Sequence, residues 1–544
     1  MRLLQDGITR QANLRPHATA IVFQQQRMSY GVLEEESNRL ARCLRERGCQ
    51  RGDRVAIMLP KSPVALVAMF ATLKADAIYV PIDPAVPATR VQRILHKSGA
   101  RWMVAAGAGQ RLLNEVLADS CLGPQLHLIW LDAVIPANFR VTSCITPQEI
   151  ASCSSAPIAY ENGVDDPAHI LFTSGSTGEP KGVVITHANV GHFVDWGIRY
   201  FDITAEDRNS GQTPLHFDLS TFDIYGTLTA GAELHLVPPE THLLPHKLAT
   251  FIRDSKLTQW FSVPSILNYL AKFDAVQERD FPHMKRVLWC GEVLPTPALI
   301  YWMKKVPHVT FTNLYGPTEA TIASSYYTVR RCPATEDEPI PIGTPCTGEA
   351  LIVLDKALQP LPSGEIGDLY IAGVGLSPAY WEDKEKTAAA FVRNPRAYER
   401  YERLYKTGDL ASIGEDGLFY FHGRADFQIK SRGYRIELGG IEAALNALGM
   451  LVEVAVVAVT TDSFEGTVIC CAYVTSTEHK VTAVMLRGQL SKHLPAYMLP
   501  TRWQEFPVLP KNVNGKIDRR QLKEAFERRE GLRMEESRKK GTEG

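Results

Sequence analysis

At 544 residues the chain is too long for a single hydrophobic core, so two or more domains are expected. A hydrophobic content of 45%, a charged content of 22% and a formal net charge of -1 are ordinary for a globular protein, and they give no support to a nucleic-acid or membrane-surface partner. The ten cysteines form no C-x-x-C pair and no H-E-x-x-H occurs, which argues against structural zinc or a disulfide framework and for reduced thiols in a cytoplasmic setting. Met1 to Asp6 has no signal-type apolar segment, and the longest apolar run, Val64 to Leu73, stops at Lys74 and Asp76, far short of a membrane span.

In chain order, Thr19 to Phe23 reads as a strand, and Ser29 as the N-cap of a helix over Tyr30 to Glu46 that ends at Gly48. Arg54 to Leu59, Val64 to Lys74 and Ile78 to Pro81 form a strand–helix–strand unit, the mark of a parallel, helix-covered sheet. Trp102 to Ala105, Leu126 to Leu131, Glu233 to Val237, Gln259 to Val263 and Arg286 to Cys290 repeat the strand theme. From about Pro339 short strands separated by glycine turns appear (Ala350 to Leu354, Gly367 to Ala372, Gly417 to His422), suggesting a small β-rich subdomain. A further unit follows, with a strand Phe427 to Lys430, a helix Ile441 to Leu448, strands Val452 to Thr460 and Val468 to Val474, and a helix near Val484 to Leu494. The expected class is α/β: a large domain over 1–422 with its β-rich part at 339–422, a small α+β domain over 423–522, and a charged tail over 523–544 that frays.

The chemistry centres on Thr173-Ser174-Gly175-Ser176-Thr177-Gly178-Glu179-Pro180-Lys181-Gly182, which follows the apolar strand His169 to Phe172. Four hydroxyls, three glycines and one lysine in ten residues make a phosphate loop after a strand. It is not a Walker A loop, because Gly182 follows Lys181 and the G-x-x-x-x-G-K-[ST] spacing is missing. Read alone, the stretch is also compatible with a surface turn. Asn313-Leu314-Tyr315-Gly316-Pro317-Thr318-Glu319 combines a ring able to lie on a purine with a carboxylate able to hold Mg2+. Tyr405 to Leu410 places Asp409 after a strand, suited to ribose hydroxyls. Gly423-Arg424-Ala425-Asp426 offers a guanidinium and an acid at a domain boundary, and Asn514-Gly515-Lys516 is a turn bearing one lysine. Singly, the last three read as turns or a surface ion-pair site.

Together, in this order, these stretches resemble the adenylate-forming enzymes, most closely the amino-acid adenylation domains of nonribosomal peptide synthesis and their free-standing relatives. The resemblance runs from Met28-Ser29-Tyr30 to Asp518-Arg519. Leu73 to Asp83 matches the family's second core motif with Asp76 where glycine is usual. Phe217-Asp218-Leu219-Ser220 matches the fourth, and Gly364 to Trp381 the sixth, with Ser377-Pro378 in place of a common Arg-Gly. Leu494 to Pro500 matches the ninth. Gly439-Gly440-Ile441-Glu442 stands where Gly-Glu-Ile-Glu is common.

The resemblance implies two half-reactions: formation of an acyl adenylate from ATP with release of pyrophosphate, then transfer to a phosphopantetheine thiol with release of AMP. It implies Lys516, Thr318 and Glu319 as catalytic residues, with Glu319 also holding Mg2+. ATP would be bound by Thr173, Ser174, Gly175, Ser176, Thr177, Gly178, Lys181, Gly291, Glu292, Asn313, Tyr315, Gly316, Asp409 and Arg424. Asp426 would be the hinge. Lys430 to Gly433 would replace Lys516 in the second half-reaction.

Asp218 is the position that pairs with a substrate α-amino group in amino-acid-activating members, so an amino acid is expected. A structural cap is the competing reading. The other pocket positions, placed by motif spacing, are Leu219, Phe222, Phe261, Leu288, Cys290, Leu314, Gly316, Ile322 and Ala323. An apolar wall favours a small apolar amino acid, since an unpaired polar group there costs about 1–3 kcal/mol. The set resembles free-standing L-proline-activating enzymes that load carrier proteins. Cys290-Gly291-Glu292-Val293-Leu294-Pro295 resembles D-alanine:carrier-protein ligases, the second choice. A stand-alone carrier protein in trans and a monomeric enzyme are expected. Ligation of another small acid to CoA is the alternative enzyme class, and a nucleotide-binding regulatory module the non-enzymatic one.

Overall fold

The computed structural model describes residues 2–134, 139–175, 178–395, 401–461, 466–475, 481–512 and 516–529. Two compact units emerge: Met1–Pro84, Val91–Phe172 and Lys181–Ala425 form the first, and Ala85–Arg90, Thr173–Pro180 and Asp426–Gly544 the second.

The first unit carries three sheets. A seven-stranded sheet runs Ser143–Ile145, His127–Trp130, Trp102–Ala105, Arg54–Met58, Ile78–Pro81, Pro167–Thr173, Lys181–Thr186. A nine-stranded sheet has Thr310–Tyr315, Arg286–Cys290, Gln259–Ser262, Arg208–Gly211, Glu233–Leu236 and Thr19–Phe23 side by side and parallel, with antiparallel strands at both edges. The central strands, such as Arg54–Met58, Ile78–Pro81, Gln259–Ser262 and Arg286–Cys290, are largely apolar and buried on both faces, as crossover topology requires. Helix Tyr30–Glu46 starts where its cap predicts, with the Ser29 hydroxyl accepting from Val32 N. Helix Pro63–Lys74 buries every residue but Val64 and so shows no amphipathic stripe. The third sheet, over Glu349–Leu354, Gly367–Gly373, Arg403–Ile413, Phe391–Arg393 and Phe419–Arg424, is antiparallel, as the glycine-punctuated sequence suggests.

The second unit pairs strands Leu451–Thr460, Thr467–Thr475 and Arg502–Glu505 beneath helices Leu438–Ala447 and Ala483–Leu490. Strands Gln428–Ser431 and Tyr434–Glu437 form a hairpin joined by Arg432 and Gly433, at φ +54° and +81°, the left-handed pair that a type I′ turn needs.

Two local expectations need correction. Asp409 does not follow a strand but lies inside the eleven-residue strand Arg403–Ile413. Gly408, at φ +76°, makes a bulge there, where the register against strand Gly367–Gly373 shifts, rather than a turn. The stretch after Leu522 does not fray at once. Residues 519–529 are helical and bury Leu522 and Phe526, an i,i+4 apolar pair that the surrounding charge conceals; residues 530–544 lie outside the described set. Among the described residues no helix is long and apolar enough to cross a membrane.

Candidate active site

Lys181 opens strand Lys181–Thr186 rather than sitting mid-loop, and Glu319 lies on the single turn Thr318–Ala320. The two meet in the first unit: Lys181 Nζ is 3.1 Å from Glu319 Oε1, and the carboxylate is fully buried. Tyr380 OH donates to the same Oε1 at 2.8 Å, and Lys181 Nζ donates to Tyr380 OH at 3.3 Å while lying 4.8 Å from the ring centroid. Burying a carboxylate is tolerable only with such paired, hydrogen-bonded company. Thr318 is half-buried beside it.

Asp409, Arg424 and Tyr315 form a second cluster. Arg424 Nη1 donates to Asp409 Oδ1 at 2.5 Å, and Tyr315 OH donates to Asp409 Oδ2. Burial first, and then the Asp409 charge, hold the Tyr315 phenol well above its ordinary pKa, so it stays a donor. The Thr407 hydroxyl accepts from Asp409 N at 3.0 Å and fixes the bulge. Gly316 follows Tyr315 where only glycine fits: a Cβ there would sit 2.6 Å from Ala323 Cα. Gly291 has φ +100°, and Glu292 Oε2 accepts from Ser265 N at 3.2 Å. Asn313, expected to face the nucleotide, is buried with its amide donating to Pro341 O at 2.8 Å, which makes it a brace for the strand carrying Tyr315.

The predicted substrate positions come together. Leu219, Phe222, Phe261, Leu288, Cys290, Leu314, Ile322 and Ala323 belong to one buried cluster, each at most 4% exposed. Parallel pairing aligns Phe261 with Leu288 and Cys290 with Leu314. Cys290 Sγ donates to Ile322 O at 3.6 Å. Thr321 and Ile322 both have left-handed backbones, φ +53° and +71°, strain of the kind that gathers at functional sites. Phe222 begins a π-type turn over Phe222–Gly226, another such mark. Asp218 is half-buried at the start of helix Leu219–Thr221, and its side chain makes no capping bond to that helix.

In the second unit, Thr173 Oγ1 is buried and has no hydrogen-bond partner among the described residues. Ser174 Oγ donates to Arg435 O at 2.5 Å. Gly175 cannot be anything else, since a Cβ would lie 2.3 Å from Glu179 O, and Gly178 has φ +81°. Ser176 and Thr177 lie outside the described residues. Lys430 is half-buried in the Gln428–Ser431 hairpin strand, and Gly433 forms its turn. Asp426 is exposed and accepts from Gln428 N at 3.1 Å. Lys516 is exposed, with its backbone bonded to Asn512 in both directions.

These residues fit ATP with Mg2+. In the second unit the orphaned Thr173 hydroxyl and the glycine-only turn suit phosphate. In the first, the Lys181 cation does so too, and the buried Glu319 carboxylate is an oxygen donor of the kind Mg2+ takes alongside substrate phosphates. Tyr380 was missed by sequence reasoning. The only available signal was its place in the sixth-motif stretch, 61 residues from Glu319.

A family model described as AMP-binding enzyme matches residues 8–381, and one described as AMP-binding enzyme C-terminal domain matches residues 440–516. Bacitracin synthase 1 of Bacillus licheniformis is 36% identical over 521 residues, 96% of this chain; the chain spans only 9% of that relative's length. The Vibrio cholerae adenylation domain AlmE, solved in complex with glycyl-adenosine-5'-phosphate, shares the fold at a TM-score of 0.84 and 24% identity, covering 96% of this chain and 97% of that one. NpsA-ThdA, an artificially fused adenylation–PCP di-domain from Klebsiella oxytoca, matches at a TM-score of 0.76 and 26% identity, covering 93% and 94%. The large matched span takes in the Lys181–Glu319 pair, and the smaller one ends on Lys516. The chain belongs to the AMP-binding enzyme family.

Proposed function

We propose that this protein activates a small apolar amino acid, L-proline first, as its aminoacyl-AMP and passes it to the phosphopantetheine thiol of a separate carrier protein. The observation that carries the reading is Asp218, a half-buried acid next in sequence to Leu219, one of eight predicted apolar positions that fall in the same buried cluster. An α-amino group is the natural partner for that acid, and the apolar wall penalises a polar side chain. Fatty or aryl acids would leave the Asp218 charge without a ligand counter-charge.

In the first half-reaction a substrate carboxylate oxygen bonds to the α-phosphorus as the bond to pyrophosphate breaks. Anion attacks anion, so fixed positive charge is the main requirement. Lys181 supplies it on the phosphate loop's own strand, and Lys516 is assigned to bridge carboxylate and phosphate. Bound Mg2+ would draw charge from the phosphate oxygens. Asp409 and Arg424 are assigned to the ribose and phosphate edge, with Tyr315 against the adenine. In the second half-reaction the carrier thiol attacks the acyl carbon and AMP leaves, with Lys430 to Gly433 in place of Lys516. We take the enzyme to be cytoplasmic and monomeric; its ten free cysteines are consistent with a reducing compartment.

D-Alanine is the second reading. Phe222 and Phe261 meet edge to face with ring centroids 6.0 Å apart, narrowing the pocket in a way that suits a methyl side chain as well as a flat ring. The test is ATP–pyrophosphate exchange with L-proline, D- and L-alanine, glycine, valine and several aryl and fatty acids. L-Proline is expected to dominate. A D-alanine maximum would move the substrate, and exchange without any amino acid preference would overturn the role of Asp218.

A further inference from the structure

Residues 377–381 are sewn to the strand that begins with Lys181. Val184 N donates to Ala379 O at 3.1 Å, Trp381 N to Gly182 O at 2.7 Å, and Ser377 Oγ to Val184 O at 2.6 Å. The same segment is tied to the Glu319 turn, because Ser377 N donates to Glu319 O at 2.8 Å. Three stretches far apart in sequence are thereby locked together through their backbones. On this frame the Tyr380 ring is 4% exposed and stands edge-on to Phe391, with centroids 5.7 Å apart. Its hydroxyl donates to Glu319 Oε1 and accepts from Lys181 Nζ. A phenyl ring would fill the same space and keep the cation–ring contact. The hydroxyl adds something else, a direction for the carboxylate and for the ammonium.

We propose that Tyr380 is a positioning residue for the nucleotide and its divalent cation: its hydroxyl holds the Glu319 carboxylate and the Lys181 ammonium in the arrangement into which metal–ATP docks. The proposal rests on the nucleotide site described above. The oxygen that receives the Tyr380 proton also faces the lysine, so loss of the hydroxyl removes one restraint from each of two charged side chains and leaves their direct ion pair in place.

The test uses Tyr380→Phe in the full-length protein, with Mn2+ affinity read by electron paramagnetic resonance in the presence of α,β-methylene-ATP. Mn2+ binding is expected to weaken roughly tenfold, as for loss of one charge-assisted hydrogen bond, with the melting temperature and the amino acid KM unchanged. In a Glu319→Gln background the added Tyr380→Phe change is expected to cost less than it does alone, since only its hold on Lys181 remains to be lost. Wild-type Mn2+ affinity in Tyr380→Phe, an equal loss in both backgrounds, or no Mn2+ binding to the unsubstituted protein would each overturn the proposal. If Tyr380→Phe melts earlier, the comparison is made below both melting temperatures and the same outcomes decide it. A Tyr380 effect on Mn2+ without amino-acid-dependent exchange would retire the substrate assignment and leave this inference standing, and the reverse pattern would retire Tyr380 alone.

Discussion

Phe222 offers the sharpest test of the pocket. Its ring is 1% exposed and lies between two glycines: a Cβ added at Gly197 or Gly226 would sit 2.5 or 2.8 Å from ring atoms. Phe193 and Phe261 stand edge-on to it, at centroid distances of 5.2 and 6.0 Å. Phe222→Ala therefore leaves a ring-shaped hole that the two glycines, having no side chains, cannot fill. Truncation of a buried phenylalanine costs about 3–5 kcal/mol, and a larger ligand can recover part of that by occupying the hole. Each added methylene in an apolar pocket is worth about 1–3 kcal/mol, so the kcat/KM ratio of leucine or phenylalanine to proline is expected to rise at least about tenfold. Phe222→Leu should fall between. Pyrophosphate exchange over the amino acid panel gives the ratio directly, and general loosening would lower every substrate alike. An unchanged ratio would show that Phe222 packs the core without bordering the substrate, and the pocket assignment would fail with it.

Lys516→Ala should abolish pyrophosphate exchange and leave transfer from supplied aminoacyl-AMP to the carrier largely intact. Equal loss in both assays would refute the division of labour between Lys516 and Lys430. Asp76→Gly should lower stability to urea by about 2 kcal/mol: three hydrogen bonds at about 1 kcal/mol each, offset by about 1 kcal/mol of relieved left-handed strain. An equally stable variant would mean that those bonds exchange freely with water. His169 and His187 predict acid lability. Burial lowers their pKa values to about 3 and about 4, so both fold neutral and are protonated more readily when unfolded. Depressed folded values contribute stability that is present above about pH 6.5 and lost as pH falls toward 4. The His187 share is at most about 3 kcal/mol, and His187→Gln should flatten the stability curve between those pH values. An unchanged slope in urea titrations would refute it.

What the sequence revealed was what short-range chemistry controls. Ser29 and the apolar spacing of Tyr30 to Glu46 place a helix because cap and stripe are local. The eight apolar positions from Leu219 to Ala323 that motif spacing singled out fall in one buried cluster. Even Phe261, which no rigid motif anchors, falls into parallel register with Leu288. The Lys181–Tyr380 bond joins residues 199 positions apart, and no periodicity or propensity reports such a pair. Asp409 misled because Thr-Gly-Asp has turn chemistry; the pairing of Lys406 with Tyr370 and of Leu410 with Asp368 shows the bulge that keeps it in a strand.

The three departures from the family pattern share a physical logic. Asp76 has φ +60°, a conformation glycine adopts freely, and its carboxylate compensates by accepting from Arg45 Nη2 at 2.6 Å and from the Glu161 and Asn162 amides at 3.0 Å. Ser377, in place of the common arginine, gives up a charge and gains a short hydroxyl bond that ties its segment to the Lys181 strand, beside the backbone bond to Glu319. Gly440 is the converse case, a side chain excluded. Within the second unit a Cβ at 440 would lie 3.0 Å from Gly175 O and 3.3 Å from the Gly178 backbone, so a glutamate there would need the phosphate loop to shift. The neighbouring acid is kept: Glu442 accepts from Val456 N and from Arg519, each at 2.7 Å, anchoring helix Leu438–Ala447 to strand Leu451–Thr460 and to the terminal helix. An acid at 440 is thus displaced by close packing, and the anchoring that an acid can provide in this helix is carried two positions further on by Glu442.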